Sequence, residues 1–348
     1  MGTATISSAA VPATAATGVV ANHQAHRRRQ VLGVLAVLAV LALLPALVHD
    51  AYLRNVLILT LLYAALAQAW NILGGYCGQI SLGHALYFGI GAYATSVLYV
   101  NYGVLPWFGM AVGAVLAAAT ALLLGWMCFR LKGHYFSIAT LVIAEIGLLL
   151  VHNWDYVGAA MGIQWPLGPD SWATLQFARD KAPYFYFVLG LFALTWFISF
   201  QVEGSRWGYW WRAVKDNPEA SESLGVTVFS SKMAAAALSA SLTAVGGSFY
   251  AAFVAYIDPD SVMHFRFSLL MVLPVVLGGL GTLWGPLLGA AILIPLTEIT
   301  RSYMGGSGTG IDLIIYGALV MLVAVLKPEG LVGLFSQFRG RRAAGGAA

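Results

Sequence analysis

Charged residues are scarce in this chain: Asp, Glu, Lys and Arg together make up 9% of its 348 residues, whereas 60% are hydrophobic. A soluble domain carries about 25% charged residues because its surface must meet water. The scarcity therefore excludes an ordinary soluble protein. A lipid bilayer is the environment that such a surface fits, and it requires apolar stretches of about 20 residues. The composition predicts a polytopic membrane protein.

Cysteine is nearly absent as well. The two cysteines, Cys77 and Cys128, lie in or beside apolar segments, without CxxC spacing and without companion ligands, so we predict neither a disulfide framework nor a metal site. We interpret both as small packing residues. The seven histidines are scattered, and none forms an i, i+4 metal pair. We expect no metal and no cofactor.

Motifs for phosphate binding and hydrolysis are also missing. The chain has no GxxxxGK[ST] loop, no HExxH helix and no GxSxG with a matching histidine and carboxylate. The stretch GGSGTG at 305–310 has no strand before it, and we interpret it as a flexible turn. The candidates for acid or base chemistry, His134, His152 and Asp155, fall on different sides of the predicted membrane. We therefore predict no catalytic residue and no enzyme activity in this chain.

Long apolar runs fill most of the sequence and predict an all-α fold with about ten transmembrane helices. The predicted spans are 30–48, 53–73, 83–100, 105–129, 134–152, 184–201, 230–254, 267–283, 285–300 and 311–327. The eighth and ninth spans could instead form a re-entrant pair. Residues 1–29 are predicted to be a disordered cytoplasmic tail, 30–335 the transmembrane domain, and 336–348 a basic, Gly- and Ala-rich cytoplasmic tail.

The basic residues predict how these spans are oriented. With ten spans both termini lie on one side, and cytoplasmic loops carry the excess of Lys and Arg. Of the 18 basic residues, the predicted outer side holds Arg54, Arg179, Lys181, Arg266 and Arg301, and the predicted cytoplasmic side holds the rest. Both termini are therefore predicted to be cytoplasmic. Two loops are long: 154–182, on the outside, and 202–229, in the cytoplasm.

The stretch GYCGQISLGHALYFGIGAY at 75–93 combines glycines with polar side chains inside an apolar chain. Ser81, Ala85 and Gly89 recur every four residues, which indicates a smooth seam for close helix packing. Packing alone leaves Gln79, Ser81 and His84 unexplained, because polar groups at membrane depth face a cavity or a partner. With Gly78, they predict a broken helix that lines a substrate path, as a gate near its cytoplasmic end.

Two further features are assigned to the same path. The stretch VLGGLGTLWGPLLGAA at 276–291 joins the eighth and ninth spans on the same side, with Gly278, Gly279 and Gly281. Glu145, in SIATLVIAEIGLLL, is an acidic residue deep within a span. Because a carboxylate is costly inside a membrane, we predict a functional role for it. Its alternative is a neutral or paired carboxyl that bonds a neighbouring helix, through His84, Gln79 or a backbone carbonyl.

The cytoplasmic loop WGYWWRAVKDNPEASESLGV predicts a short surface helix. Asn217 and Pro218 mark a turn or a helix start, acidic residues suit the first turn, and Gly225 can end the helix. Such an element docks a soluble partner or is merely a surface helix. The residues that we assign to docking are Arg212, Asp216, Asn217, Pro218, Glu219, Ala220 and Gly225.

The stretch EASESLG at 219–225 resembles the cytoplasmic EAA loop of bacterial ABC importer permeases. NILGGYCGQISLGHALYFGIGAY, GHYFSIATLVIAEI, RAVKDNPEASESLGV, VVLGGLGTLWGPLLGAA and LKPEGLVGL occur in the same order as in LivM-type permeases of branched-chain amino acid importers. The resemblance covers about residues 50–335. It implies a bacterial cytoplasmic (inner) membrane protein with four kinds of neighbour: a second, LivH-like permease, two ATPases that hydrolyse ATP, a solute-binding protein outside, and lipid. Nucleic acid is not expected as a partner.

The resemblance implies the permease subunit of an ATP-driven importer for leucine, isoleucine and valine, which moves substrate by alternating access. Importers of urea and short amides use similar permeases and are an alternative cargo class. A secondary transporter is the alternative from another class, since it also has broken helices and a buried carboxylate. It would work without an ATPase and has no need of an EAA-like loop.

Overall fold

The computed structural model describes residues 13–48, 50–131, 133–166, 168–177, 179–303, 317–318, 321 and 330–333. The turn at 305–310 and the tail at 336–348 lie outside these residues, as does nearly all of the predicted tenth span. From Asp50 onward the chain forms one unit, and the helix before it belongs to another. The two units are described separately.

The described residues confirm the all-α expectation. The helices are α1 (Ala13–Leu47), α2 (Ala51–Asn71), α3 (His84–Tyr102), α4 (Pro106–Cys128), α5 (His134–His152), α6 (Ala182–Glu203), α7 (Arg206–Asp216), α8 (Pro218–Ser223), α9 (Val228–Val254), α10 (Pro259–Met263), α11 (Phe265–Gly278) and α12 (Gly285–Tyr303). A π-helical turn, Ile72–Tyr76, extends α2, and two 3₁₀ turns, Asp155–Val157 and Ala159–Met161, follow α5. The two strands, β1 (Ile163–Gln164) and β2 (Tyr256–Ile257), pair antiparallel.

Seven of the described helical stretches are long and apolar enough to cross a membrane: Gln30–Leu47, Ala51–Tyr76, Pro106–Cys128, His134–His152, Ala182–Glu203, Val228–Val254 and Pro259–Gly278. The helices α3 and α12 match the predicted third and ninth spans within a few residues. Both contain glycine and polar residues, which lower their hydropathy, so length and composition alone do not mark them as spans.

The predicted tail 1–29 differs from the structure, because α1 already begins at Ala13. The stretch is rich in alanine and ends in arginines, residue types with high helix propensity.

The helix α2 lies at the centre of the second unit. Of the residues in the most apolar window of Ala51–Tyr76, 89% are buried, whereas the corresponding share in α5 is 17%. Helix α2 packs against α6, α9, α11 and α12. On its other side α3, α4 and α9 pack closely through small residues: a side chain at Gly91 would collide with the Ala244 carbonyl, and one at Gly247 with the Phe88 carbonyl. Glycine thus sets how closely these helices approach.

The long loops form short ordered elements. After α6, the helices α7 and α8 occupy most of the loop predicted at 202–229. Asn217 caps α8, with its side chain accepting a hydrogen bond from the Ala220 N–H, and Gly225 follows the helix at φ +85°. The prediction of a helix that begins at Pro218 and ends before Gly225 is confirmed. In the other long loop, β1 pairs with β2, so that loop joins the residues that follow α9.

Candidate functional site

The predicted break in the helix lies between α2 and α3. The π turn Ile72–Tyr76 ends α2, and residues 77–83 have no helical structure before α3 begins at His84. Gly78 sits at φ +72°, a conformation that disfavours a side chain. We name residues 72–83 the first junction. Its irregular backbone is buried mainly within the protein, as a break at membrane depth requires.

His84 is fully buried and holds the first junction to α9. Its Nε2 lies 2.9 Å from Ser239 Oγ, and its Nδ1 lies 3.2 Å from Ser81 Oγ. Because Ser239 already donates to the Ala69 carbonyl at 2.8 Å, it accepts from His84, which assigns the imidazole proton to Nε2 and makes Nδ1 the acceptor for Ser81. The histidine is neutral with both nitrogens bonded, so its contacts are those of a packing residue.

The first junction turns back into the bundle. Leu82 N–H donates to Thr140 Oγ1 at 3.1 Å, and the Trp70 indole donates to the Ser81 carbonyl at 2.8 Å. Thr140 and Ser239 lie within α5 and α9, and Trp70 lies one residue before the end of α2, so three helices hold Ser81 and His84. Gly75, in the same junction, contacts Lys215 of α7 instead.

Gln79 stands apart from the other two polar residues. It is half-buried, and among the described residues its side-chain amide makes one long contact, 3.5 Å, with the Cys77 carbonyl. The next residue, Ile80, is 48% exposed. The structure thus brings Ser81 and His84 together and leaves Gln79 at the surface of the junction.

The second glycine cluster is bonded to the first junction. Between α11 and α12, Gly279 and Gly281 adopt positive φ values of 128° and 73°, and we name residues 278–285 the second junction. Gly281 N–H donates to Asn71 Oδ1 at 2.9 Å, and Asn71 Nδ2 donates to the Thr282 carbonyl at 2.9 Å. Asn71 therefore ties the two junctions together. Sequence reasoning missed it, although a fully buried Asn at the end of a span is the type of residue that marks such a link.

Helix α7 contacts the first junction through two basic residues. Lys215 Nζ donates to the Gly75 carbonyl at 2.8 Å. This carbonyl is available because Gln79 N–H, its partner in a regular helix, bonds Leu73 instead. Arg212 forms an ion pair with Glu203 at 3.1 Å, and its guanidinium lies 5.8 Å from the centre of the Tyr76 ring. Sequence reasoning found Arg212 and missed Lys215, which lies three residues further on the same helix face.

The other residues assigned to docking are exposed. They are Asp216, Asn217, Pro218, Glu219, Ala220 and Gly225. Leu224 is 84% exposed, an unusual position for an aliphatic side chain on a polar loop. Leu224, directly after α8, therefore offers a small exposed apolar contact with acidic neighbours. Helix α7, which precedes α8, contacts the first junction.

Glu145 lies half-buried on α5. Within the part of the chain that the structure describes, its carboxylate bonds neither His84 nor Gln79, and the histidine is satisfied by serines. On the same helix, Val142 and Ile146 are exposed. The carboxylate thus stands at the edge of an apolar face that the chain itself leaves uncovered.

Comparison with known proteins places these features in context. A family model described as "Branched-chain amino acid transport system / permease component" matches residues 52–324. The match includes both junctions and helices α7 and α8. No solved structure matches the chain.

Curated relatives agree with this match. The high-affinity branched-chain amino acid transport system permease protein LivM of Escherichia coli K12 is 28% identical over 301 residues, covering 80% of this chain and 69% of the relative. LivH of the same organism is 23% identical over 289 residues, or 78% and 91% of the two chains. The probable permease LivH of Methanocaldococcus jannaschii is 24% identical over 257 residues, or 70% and 80%.

Proposed function

The chain belongs to the family of permease components of branched-chain amino acid transport systems, and from that premise we propose that it is the membrane-spanning subunit of an ATP-driven importer for leucine, isoleucine and valine. It is a multi-pass protein of the bacterial cytoplasmic membrane. Substrate crosses by alternating access, and this chain supplies the path rather than the ATP hydrolysis.

The proposed partners follow from the same family. A second, LivH-like permease completes the path, two cytoplasmic ATPases hydrolyse ATP, and a solute-binding protein delivers the amino acid from outside. The similarity to both LivM and LivH relatives supports a pair of related permeases. The exposed Leu224 and Glu219 support an ATPase contact at α8. This proposal places both termini of the chain in the cytoplasm.

One observation carries the mechanism: the hydrogen bond from Lys215 on α7 to the Gly75 carbonyl of the first junction. It connects the loop that faces the ATPases to the break in the path. Asn71 extends the connection to the second junction. Closure of the ATPase dimer moves α8 and α7, and the two junctions shift together between outward- and inward-open arrangements.

Uptake into proteoliposomes that contain the reconstituted complex tests this function. Uptake of radiolabelled leucine is expected to stop when ATP is depleted and to persist when the membrane potential is collapsed. The reverse pattern would identify a secondary transporter. Competition by unlabelled isoleucine and valine, but not by urea or acetamide, is expected for the proposed cargo. Competition by urea instead would assign the chain to the amide importers.

The gate assignment of the first junction has its own test. A cysteine at Ser81, which is buried, is expected to react with a water-soluble maleimide only in the inward-open state of the complex. A cysteine at the exposed Ile80 is the control and reacts in both states. Constant protection at position 81 would show that the junction is a packing element.

A further inference from the structure

A cleft of about 430 Å³ opens between α2, α9, α12 and the segment α10–α11. It is separate from both glycine-rich junctions. Its mouth is lined by charged residues of both signs, namely Asp260, Arg266, Glu298 and Arg301. The sequence pattern accounts for the two arginines only as basic residues on the outer side, and it says nothing of the two carboxylates.

Among the described residues, the charged side chains of α10 and α12 in this cleft are not paired with one another. Among the described residues, Asp260, Glu298 and Arg301 form no ion pair together; the pairs that the structure contains elsewhere include Arg54–Asp180 and Arg212–Glu203. Glu298 and Arg301 nevertheless face one volume, because both line the same cleft, together with Tyr250. A positive and a negative group therefore converge on one space without neutralising each other.

The floor of the cleft is apolar. Leu59, Leu270 and Ile294 line it, and Tyr63 lies beside them at the middle of the Ala51–Tyr76 stretch. The cleft thus runs from charged helix ends to the central turns of α2. Binding sites for small molecules commonly combine such an apolar lining with a few convergent polar groups.

We propose that this cleft binds a free aliphatic α-amino acid as its zwitterion. Arg301 receives the carboxylate, Glu298 with Asp260 receives the ammonium, and the branched side chain lies against Leu59, Leu270 and Ile294. An anion or an anionic headgroup would meet repulsion from the two carboxylates, whereas a zwitterion satisfies both signs. The inference rests on the proposed function, and it names a site for the cargo on the permease itself.

A reporter cysteine in the floor tests this binding directly. Leu270→Cys is introduced into the chain, and the rate of maleimide modification is measured on the reconstituted complex without the solute-binding protein. The parent chain is the background control, because its Cys77 and Cys128 are buried. Millimolar leucine is expected to slow modification at least threefold. 4-Methylpentanoate lacks the ammonium, 3-methylbutylamine lacks the carboxylate, and neither is expected to protect.

Two variants connect protection to the charges. Glu298→Gln and Arg301→Gln, each combined with the reporter, are expected to abolish protection by leucine. Arg179→Gln, which removes another exposed positive charge outside the cleft, leaves protection intact. Equal protection by the two analogues would show a merely apolar pocket and overturn the proposal, as would protection that survives both charge variants.

The outcome is separable from that of the proposed function. A complex that takes up leucine but shows no protection at position 270 keeps its function and refutes the cleft. A complex that takes up no leucine refutes the function, whatever the reporter shows.

Discussion

At the scale of single residues, His84 shows how a polar group is tolerated inside an apolar bundle. Both of its ring nitrogens are bonded, to Ser81 and Ser239, and it touches neither bulk water nor a charged partner in the described residues. Removing one partner from a buried hydrogen bond leaves the other unsatisfied, at a cost of about 1–3 kcal/mol. The histidine therefore acts by holding the first junction in place.

His84→Ala is expected to destabilise the protein by about 1–3 kcal/mol, because it leaves Ser81 and Ser239 without their common partner. Thermal unfolding of the purified complex measures the change. A cysteine introduced at Leu82 is also expected to be modified faster when His84→Ala is present. His134→Ala, at an exposed position at the start of α5, is the control and leaves the unfolding temperature unchanged. An unaltered temperature in His84→Ala would contradict the packing role.

At the scale of elements, α7 links the surface helix α8 to the first junction. It contacts that junction at two points through polar side chains. Lys215 donates to the Gly75 carbonyl, and the Arg212 guanidinium lies near the Tyr76 ring. A polar contact to backbone specifies position more than it adds stability, since an exposed lysine contributes little net free energy. Disrupting it is therefore expected to affect motion rather than folding.

Lys215→Met keeps the length of the side chain and removes its donor. We expect uptake per ATP hydrolysed to fall several-fold, because movement of α7 no longer reaches Gly75, while ATP hydrolysis and membrane insertion persist. Lys215→Arg retains a donor and is expected to recover part of the coupling. Arg206→Met, which removes another exposed positive charge from the same helix, is the matched control. A parallel fall in hydrolysis and uptake would indicate a structural defect instead.

At the scale of the whole molecule, the exposed surfaces indicate where other subunits meet the chain. Leu224, directly after α8, is exposed to solvent. In α5, which carries Glu145, only 17% of the residues in the most apolar window are buried. An apolar helix face can meet lipid, but a carboxylate in it is costly there and favours protein or water. The assembly is thus expected to cover α8 with an ATPase and the Glu145 edge of α5 with the second permease.

Glu219→Lys combined with Leu224→Arg is expected to abolish uptake while the chain still inserts into the membrane. The reason is that both changes alter the exposed contact of α8 and leave its cap at Asn217 intact. Gly225 is left unchanged, because a side chain at φ +85° would distort the end of the helix. Co-purification of the ATPase with the variant chain measures the contact. Ser230→Lys, exposed at the start of α9, is the control, and retained co-purification with normal uptake would refute the docking role.

Much of the helical framework was predictable. Apolar length places α2, α4, α5, α6 and α9 within a few residues of their predicted spans, and local capping residues place α8. The break after α2 was predictable too, since glycines and polar side chains interrupt an apolar run. Two features needed the structure: α1 begins at Ala13, in a stretch with helix propensity but little hydropathy, and the segment around Ser81 turns back into the bundle.

The sequence by itself determined the membrane class, the approximate spans, the surface helix and the family resemblance, because each depends on residues that are near one another along the chain. Only the tertiary structure decided that α2 is central, that Lys215 reaches Gly75 across 140 positions, and that Asn71 reaches Gly281 across 210. It alone brought Glu298, Arg301 and Asp260 to one cleft. Hydropathy cannot decide such matters, because lipid is as apolar as the interior of the bundle, and partners are chosen by shape and hydrogen bonding.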